Sequence, residues 1–373
     1  MNQPKTDRRI LLCATGMSPQ VVTETLYALA VSPSHGKEPW VPTEVHIIST
    51  SHGAEQARLN LLSEHPGWFH KLCKDYSLPP IRFTPETIHC IQNSDGRDLD
   101  DIRTPTDNES AANSIAELVR SLTQDENSIL HVSLAGGRKT MGYYTGYALS
   151  LYGRPQDRLS HILVNGAYEN HPEFYYPTPY EEIIYTRGDK PQALNCADAV
   201  IDLAEIPFVR LRDGMPDRLL QGKANFTETV ELTNKAQGPA IMRIDKSKNG
   251  RSVRVNDIPA HLTEMSFALI CWFSTRAITD NPEIQWTEYS EFLDLIKELY
   301  GKDSNIYEEV ECSIRMRKDD EDQIKGYFQI AKSRMNTALK EELGATLAAR
   351  CQSPKPTRGR GNRLPEDLTI IFD

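Results

Sequence analysis

Short apolar runs alternate with helix-periodic stretches through the first half of the chain, and this alternation limits the fold more than any other feature. The runs at 10–14, 45–49, 88–91, 129–133 and 162–164 read as strands. Between them, residues 19–30, 54–62, 108–122 and 139–151 carry helical spacing; in the third of these Ile115, Leu118, Val119 and Leu122 form an i, i+3, i+4, i+7 stripe. Strands that alternate with helices build a mainly parallel sheet covered on both faces, the doubly wound α/β class. Ligands of such sheets sit beyond the carboxyl ends of the strands, so the strand-to-helix turns are where chemistry is expected.

Two of those turns are informative. The first is Ala14-Thr15-Gly16-Met17-Ser18-Pro19-Gln20, directly after the first apolar run. Ser18 suits an N-cap and Pro19 the first helical position, where a missing N–H costs nothing. The second is Ser133-Leu134-Ala135-Gly136-Gly137-Arg138-Lys139-Thr140-Met141. Gly136-Gly137 lets a backbone approach a ligand closely, and Arg138, Lys139 and Thr140 then open a helix. Cations at a helix start oppose the helix dipole, an oddity that an anion bound there would explain. A plain Gly-Gly turn with solvated charges is the competing reading. Neither turn is a G-x-G-x-x-G fingerprint or a P-loop.

Composition narrows the partners. Of 373 residues, 39% are hydrophobic and 25% charged, the profile of an ordinary globular chain long enough for two domains. A net charge of −10 argues against a protein that coats nucleic acid, but not against one anion in a locally positive pocket. No apolar run approaches the roughly 20 residues that span a bilayer, and the N-terminal residues lack a signal-peptide core, so a cytoplasmic location without membrane contact is expected. The seven cysteines (13, 73, 90, 196, 271, 312 and 351) have no metal-ligand spacing and read as buried free thiols. No metal or cofactor is implied. His46, His89, His131 and His161 read as core or edge residues, and the acidic run 318–322 as a solvated loop. Tyr143, Tyr144 and Tyr147 read as packing, with stacking on a base as the alternative.

The pattern changes near 186–191, a polar turn-rich stretch taken as the boundary between a domain at 1–190 and a second at 191–373. In the second, 240–245 and 252–256 read as paired strands, 262–273 as a helix capped by Thr263, and 287–299 and 324–343 as further helices. A basic loop at 353–363, with Arg358, Arg360 and Arg363, precedes an apolar run at 368–372. These suggest a smaller α+β domain of winged-helix type, a shape that serves DNA binding, dimerisation and protein contact equally, so DNA binding stays open. Arg254 and His261 have the spacing of a HEPN ribonuclease motif, but Pro259 and the strand-like 252–256 speak against the helix that the motif needs.

Taken together, the first and second turns resemble those of the CARF domain of CRISPR-associated proteins, nearest the ring nucleases of type III systems; residues 22–29, 159–164 and 174–177 support the likeness. The resemblance covers about residues 8–190. It implies a Rossmann-like domain that forms a homodimer around a cyclic oligoadenylate, most often cyclic tetra-adenylate. Thr15, Gly16, Ser18 and Gln20 would line the pocket from the first loop, and Gly136, Gly137, Arg138, Lys139 and Thr140 from the second. His52 and Gly53 would add contacts from the turn after the second strand. It further implies that Ser18 and Lys139 are catalytic: the ligand's own 2′-hydroxyl attacks the adjacent phosphate without a metal, slowly, leaving a 2′,3′-cyclic phosphate. A non-catalytic sensor whose winged helix acts on DNA or a partner protein is the other reading.

Overall fold

The computed structural model describes residues 8–33, 37–188, 190–222, 224–248, 250–356 and 361–373. The chain divides into two compact units, the first ending at Arg212 and the second beginning at Asp213.

In the first unit the order is β1 (Arg8–Ala14), α1 (Gln20–Ala30), β2 (Glu44–Ser49), α2 (Ser51–Ala57), α3 (Trp68–Asp75), β3 (Ile88–Cys90), α4 (Pro105–Leu122), β4 (Ser128–Ser133), α5 (Lys139–Tyr152), β5 (Arg158–Val164), β6 (Ile183–Tyr185), β7 (Ala193–Asn195) and β8 (Ile201–Glu205). Six strands form one sheet in the order β3-β2-β1-β4-β5-β8, parallel throughout except for β8. Residues 10–14 of β1 are wholly buried, which is why a central parallel strand reads as an unbroken apolar run. Leu11 and Cys13 of β1 pack with Val22 and Leu26 of α1, Ala54 and Ala57 of α2, and Phe69 and Leu72 of α3. Helices α4 and α5 pack on each other, with α5 also reaching β1. Each fully buried Leu or Ile side chain contributes about 1.5–3 kcal/mol.

Several local expectations shift. The helix expected at 54–62 starts earlier, at Ser51, because Thr50 caps it, and its last residues, Arg58–Leu62, widen into a π turn. Helix α4 gains a turn from the capping box of Thr104 and Asp107 with Pro105 at its first position. The polar stretch 186–191 connects the hairpin β6–β7, where Thr186 N–H donates to the Gln192 carbonyl at 3.0 Å. Beyond it β8 still belongs to the first unit, adding an antiparallel edge strand. Cys13, Cys196, Cys271 and Cys351 are buried and the other three cysteines half-buried; all are free.

The second unit contains α6 (Asp217–Leu220), α7 (Phe226–Gln237), β9 (Ile241–Asp245), β10 (Ser252–Val255), β11 (Ile258–Ala260), α8 (Glu264–Ala277), α9 (Tyr289–Tyr300), α10 (Asn305–Arg315), α11 (Glu321–Ala348) and β12 (Thr369–Phe372). Its sheet runs β11-β10-β9-β12, with β12 parallel to β9. Thr263 caps α8 by accepting from Ser266 N–H. That helix is buried from Ser266 through Ser274, and Trp272 packs with Trp286, Phe292 and Phe328 in the core. Arg254 lies on β10 and His261 follows β11, so no helix spans the pair. Asp320, in the acidic run, caps α11. Arg363 pairs with Glu366 at 2.6 Å, while Arg358 and Arg360 lie outside the described residues. Among the described residues no helix is long and apolar enough to cross a membrane.

Candidate functional site

The strand order reverses direction between β1 and β4, and at this switch point the carboxyl ends of β1, β2 and β4 stand side by side. The turns that follow touch backbone to backbone. A Cβ on Gly16 would lie 3.3 Å from Gly137 Cα, and one on Gly136 would lie 2.8 Å from the Ala14 carbonyl oxygen. One on Gly53 would meet Ser49 Oγ at 2.0 Å and the Gly16 carbonyl oxygen at 2.8 Å. Gly137 also has φ +82°, a conformation that favours glycine. The glycines of the three turns are therefore spacers: side chains there would push the loops apart.

Around this contact the structure brings together most of the residues picked out in the sequence. Thr15 is fully buried beneath the second loop; its N–H donates to the Ile48 carbonyl at 3.0 Å, and its Oγ1 has no partner. Ser49 Oγ donates to the Thr15 carbonyl at 2.7 Å, tying the first turn to β2. Ser18, Arg138, Lys139 and Thr140 are exposed. His52 is exposed too, on the first turn of α2. Arg138 forms a two-point pair with Asp101, with Nε 2.9 Å from Oδ1. The guanidinium holds the Asp101 carboxyl well below the usual carboxylate range.

Ser18 is not the cap that its residue type suggests. Helix α1 starts at Gln20 with Pro19 in the cap position and no side-chain cap bond. A tight first turn, Val22 N–H to the Pro19 carbonyl at 3.1 Å, leaves Ser18 outside the helix. Helix α5 likewise opens without a side-chain cap, Arg138 taking the cap position in extended conformation. Uncapped N–H groups and a positive dipole end thus face the same mouth from two helices.

Beside the first loop lies a cavity of about 150 Å³ that the sequence did not reveal. Ser18 and Gln20 line it together with Glu24, Ala135, His161 and His171, whereas Lys139 is not among its walls. Gln20 donates Nε2 to the Pro172 carbonyl at 3.3 Å and leaves Oε1 buried without a partner. Burial, reinforced by Glu169, pushes the Glu24 carboxyl up to about 8, so it is protonated at neutral pH and does not repel an anion. His171 is held by its own bonds, Nε2 to the Tyr185 carbonyl at 2.9 Å and Nδ1 to Glu173 N–H at 3.2 Å. Helical spacing from Gln20 to Glu24 was the only signal for this cavity; the crossing of α1 with β5 that makes it is tertiary.

Tyr143 packs on one side only. It is 66% exposed and stacks on Tyr147 with centroids 5.8 Å apart, one helical turn beyond Lys139. Met17, at the tip of the first loop, is 63% exposed.

Residues 18–238, more than half of the chain, match the family model of CRISPR-associated protein NE0113. A search of curated proteins gives no match. Among solved structures, Csm6 of Enterococcus italicus bound to cyclic hexa-2′-fluoro-hexa-dAMP is similar at 12% identity and TM-score 0.26, over 89% of this chain and 61% of that one. The chain therefore spans less than two thirds of that protein's length.

Proposed function

The chain belongs to the CRISPR-associated NE0113 family, and from that premise we propose that its first unit is a ring nuclease that binds and slowly opens cyclic tetra-adenylate. The observation that carries the reading is the backbone contact of the Gly16 and Gly136-Gly137 turns at the switch point, with two uncapped helix starts and Lys139 at their mouth. That arrangement suits a phosphodiester: backbone donors come close, and cationic charge stands where negative charge develops.

In the reaction, the ligand's 2′-oxygen attacks phosphorus in line; the new O2′–P bond forms as the P–O5′ bond breaks. The hydroxyl proton is lost, the leaving 5′-oxygen gains one, and a 2′,3′-cyclic phosphate remains. Lys139 stabilises the phosphorane oxygens or protonates the leaving oxygen, and Ser18, freed from capping, orients the hydroxyl or phosphate. Gln20, Thr140 and His52 contact the ring, Arg138 and the buried Thr15 hold the two loops in place, and Gly16, Gly53, Gly136 and Gly137 let the loops pack closely enough to form the site. A second copy of the chain would close the open mouth across a twofold axis, covering the exposed Met17 and Tyr143.

A sensor without cleavage is the second reading, favoured by one fact: Ser18 lines the side cavity and Lys139 does not. The winged-helix reading of the second unit, acting on DNA or a partner protein, belongs with it. Incubation of the purified protein with radiolabelled cyclic tetra-adenylate, without metal, separates the two. Ring opening that is lost in Lys139→Ala and slowed in Ser18→Ala supports the nuclease. Tight binding of a ring that stays intact identifies the sensor.

A further inference from the structure

The second unit contains a groove of about 710 Å³ along α11, closed on one side by residues 352–356. Its walls mix apolar and polar surface and carry Lys332, Lys340 and Lys355 with no carboxylate among the described lining residues, in a chain whose net charge is −10. Lys332, Asn336 and Lys340 recur every four residues and so share one helix face.

The floor of the groove holds unspent hydrogen-bonding capacity. Lys332 is only 8% exposed, and its Nζ donates to the Pro354 carbonyl at 3.2 Å and to Asn362 Oδ1 at 2.9 Å. An ammonium carries three N–H donors, so one is left. Ser353 is 1% exposed and its Oγ has no partner. Asn336 donates Nδ2 to the Ser353 carbonyl at 2.9 Å, which fixes the amide and leaves its buried Oδ1 without a donor. An unsatisfied buried polar group is costly, and a buried ammonium without an anion more so. Burial accordingly pulls Lys332 below the ordinary lysine range, a shift that a bound anion would reverse.

We propose that this groove binds a nucleoside phosphate, either free or as a unit of single-stranded RNA. Lys340 and Lys355 take the phosphate, while Lys332 and Ser353 donate from the floor. Asn336 Oδ1 lacks a donor, and a ribose hydroxyl or base N–H supplies one. This site is separate from the one formed by the turns of the first unit, and its ligand need not contain adenine.

The test uses the full chain and adenine-free probes: UMP, and a short fluorescein-labelled oligouridylate read by anisotropy across a salt series. Binding of either probe is expected, and which of them binds distinguishes a free nucleotide from a strand. Lys340→Glu combined with Lys355→Glu, both at exposed positions, should weaken binding at least tenfold. If the strand binds, the slope of log K against log salt should also flatten by about 0.7 for each lost phosphate contact. Ser353→Ala should cost a few-fold with the slope unchanged. The proposal is overturned if neither probe binds, or if the double charge reversal binds like wild type.

Discussion

Arg138 donates Nε to Asp101 Oδ1 at 2.9 Å while its Nη2 reaches the other carboxylate oxygen, so the first cation of the second loop is already paired. Lys139, the next residue, is exposed and forms no ion pair among the described residues. The two adjacent cations are therefore unequal: Arg138 fixes the loop against the segment before α4, and Lys139 is the charge available to a ligand. Asp101→Asn should release Arg138 and remove a negative charge beside the mouth. Cyclic tetra-adenylate should then bind roughly threefold to tenfold more tightly at low salt, with the gain fading as salt screens it. Because the carboxyl is held well below its usual range, the gain should be the same at pH 5 and pH 8. Calorimetric titration at two ionic strengths measures it, and weaker binding by the variant would show that the pair serves the ligand.

Alanine normally stabilises a helix relative to glycine, yet Gly53→Ala should do the opposite. The added methyl would stand 2.0 Å from Ser49 Oγ and 2.8 Å from the Gly16 carbonyl oxygen, and the second contact is with backbone that cannot swing aside. A loss of about 1–3 kcal/mol in denaturant unfolding is expected from such overpacking, outweighing the ~1 kcal/mol that helix propensity would return. Ligand affinity should fall further than stability does, since the displaced backbone is the first turn.

What the sequence made legible follows from what is local. Strand β1 and the glycine turns could be read because a doubly buried strand has no polar interruptions and because Gly136-Gly137 just after a strand marks a tight backbone turn, here with Gly137 at positive φ. The Thr263 cap was legible for the same reason, a short-range bond with a fixed offset. Ser18 misled because residue type alone assigned a cap that the Pro19 turn pre-empts. Strand β8 was missed since Ile201–Glu205 is short and lacks a clean apolar run or alternation, and it gains strand geometry only from pairing with β5. Glu24 and His161 gave no sign of sharing a cavity, because they meet only once α1 lies across β5.

Glu24 gives a pH dependence of known sign. Its carboxyl titrates near 4.5 when unfolded and at about 8 when folded, so between those values the folded chain holds a proton that unfolding releases. Stability must fall as pH rises through that window, by at most about 1.4 kcal/mol per pH unit. Glu24→Gln should flatten the curve and raise the melting temperature relative to wild type at pH 8, leaving it little changed at pH 4.5. Melting temperatures across this range test it; a wild-type curve that is flat from pH 5 to 8 would rule it out.

The turn from α5 into β5 rests on a buried ion pair. The Arg154 and Asp157 side chains are 1% and 0% exposed, joined by Nε–Oδ2 at 2.9 Å and Nη2–Oδ1 at 2.8 Å. Asp157 also accepts from the Arg154 and Leu130 N–H groups, at 2.7 and 2.9 Å. Asp157→Ala would leave a buried guanidinium without its counterion, which costs on the order of 3–5 kcal/mol. Urea unfolding should show this as a lower midpoint with an unchanged slope. Replacing both partners with apolar residues should recover part of the loss, because the desolvation cost then disappears with the charge.

Tyr143 supplies the last prediction, and it bears on what the mouth recognises. The ring is exposed, lies parallel to Tyr147 within 8°, and sits one turn past Lys139 on the same face of α5. If Lys139 takes a phosphate as proposed, an aromatic face beside it suits a base attached to that phosphate. Base–aromatic stacking contributes about 1–3 kcal/mol when measured by alanine substitution, so Tyr143→Ala should weaken cyclic tetra-adenylate binding by roughly tenfold or more. Tyr143→Phe keeps the ring and should bind like wild type, whereas a role of the hydroxyl would make the two variants equally weak. If Tyr143 instead packs against a second copy of the chain, the alanine variant should shift the monomer–dimer balance without ligand, and sedimentation at several concentrations reads that shift directly.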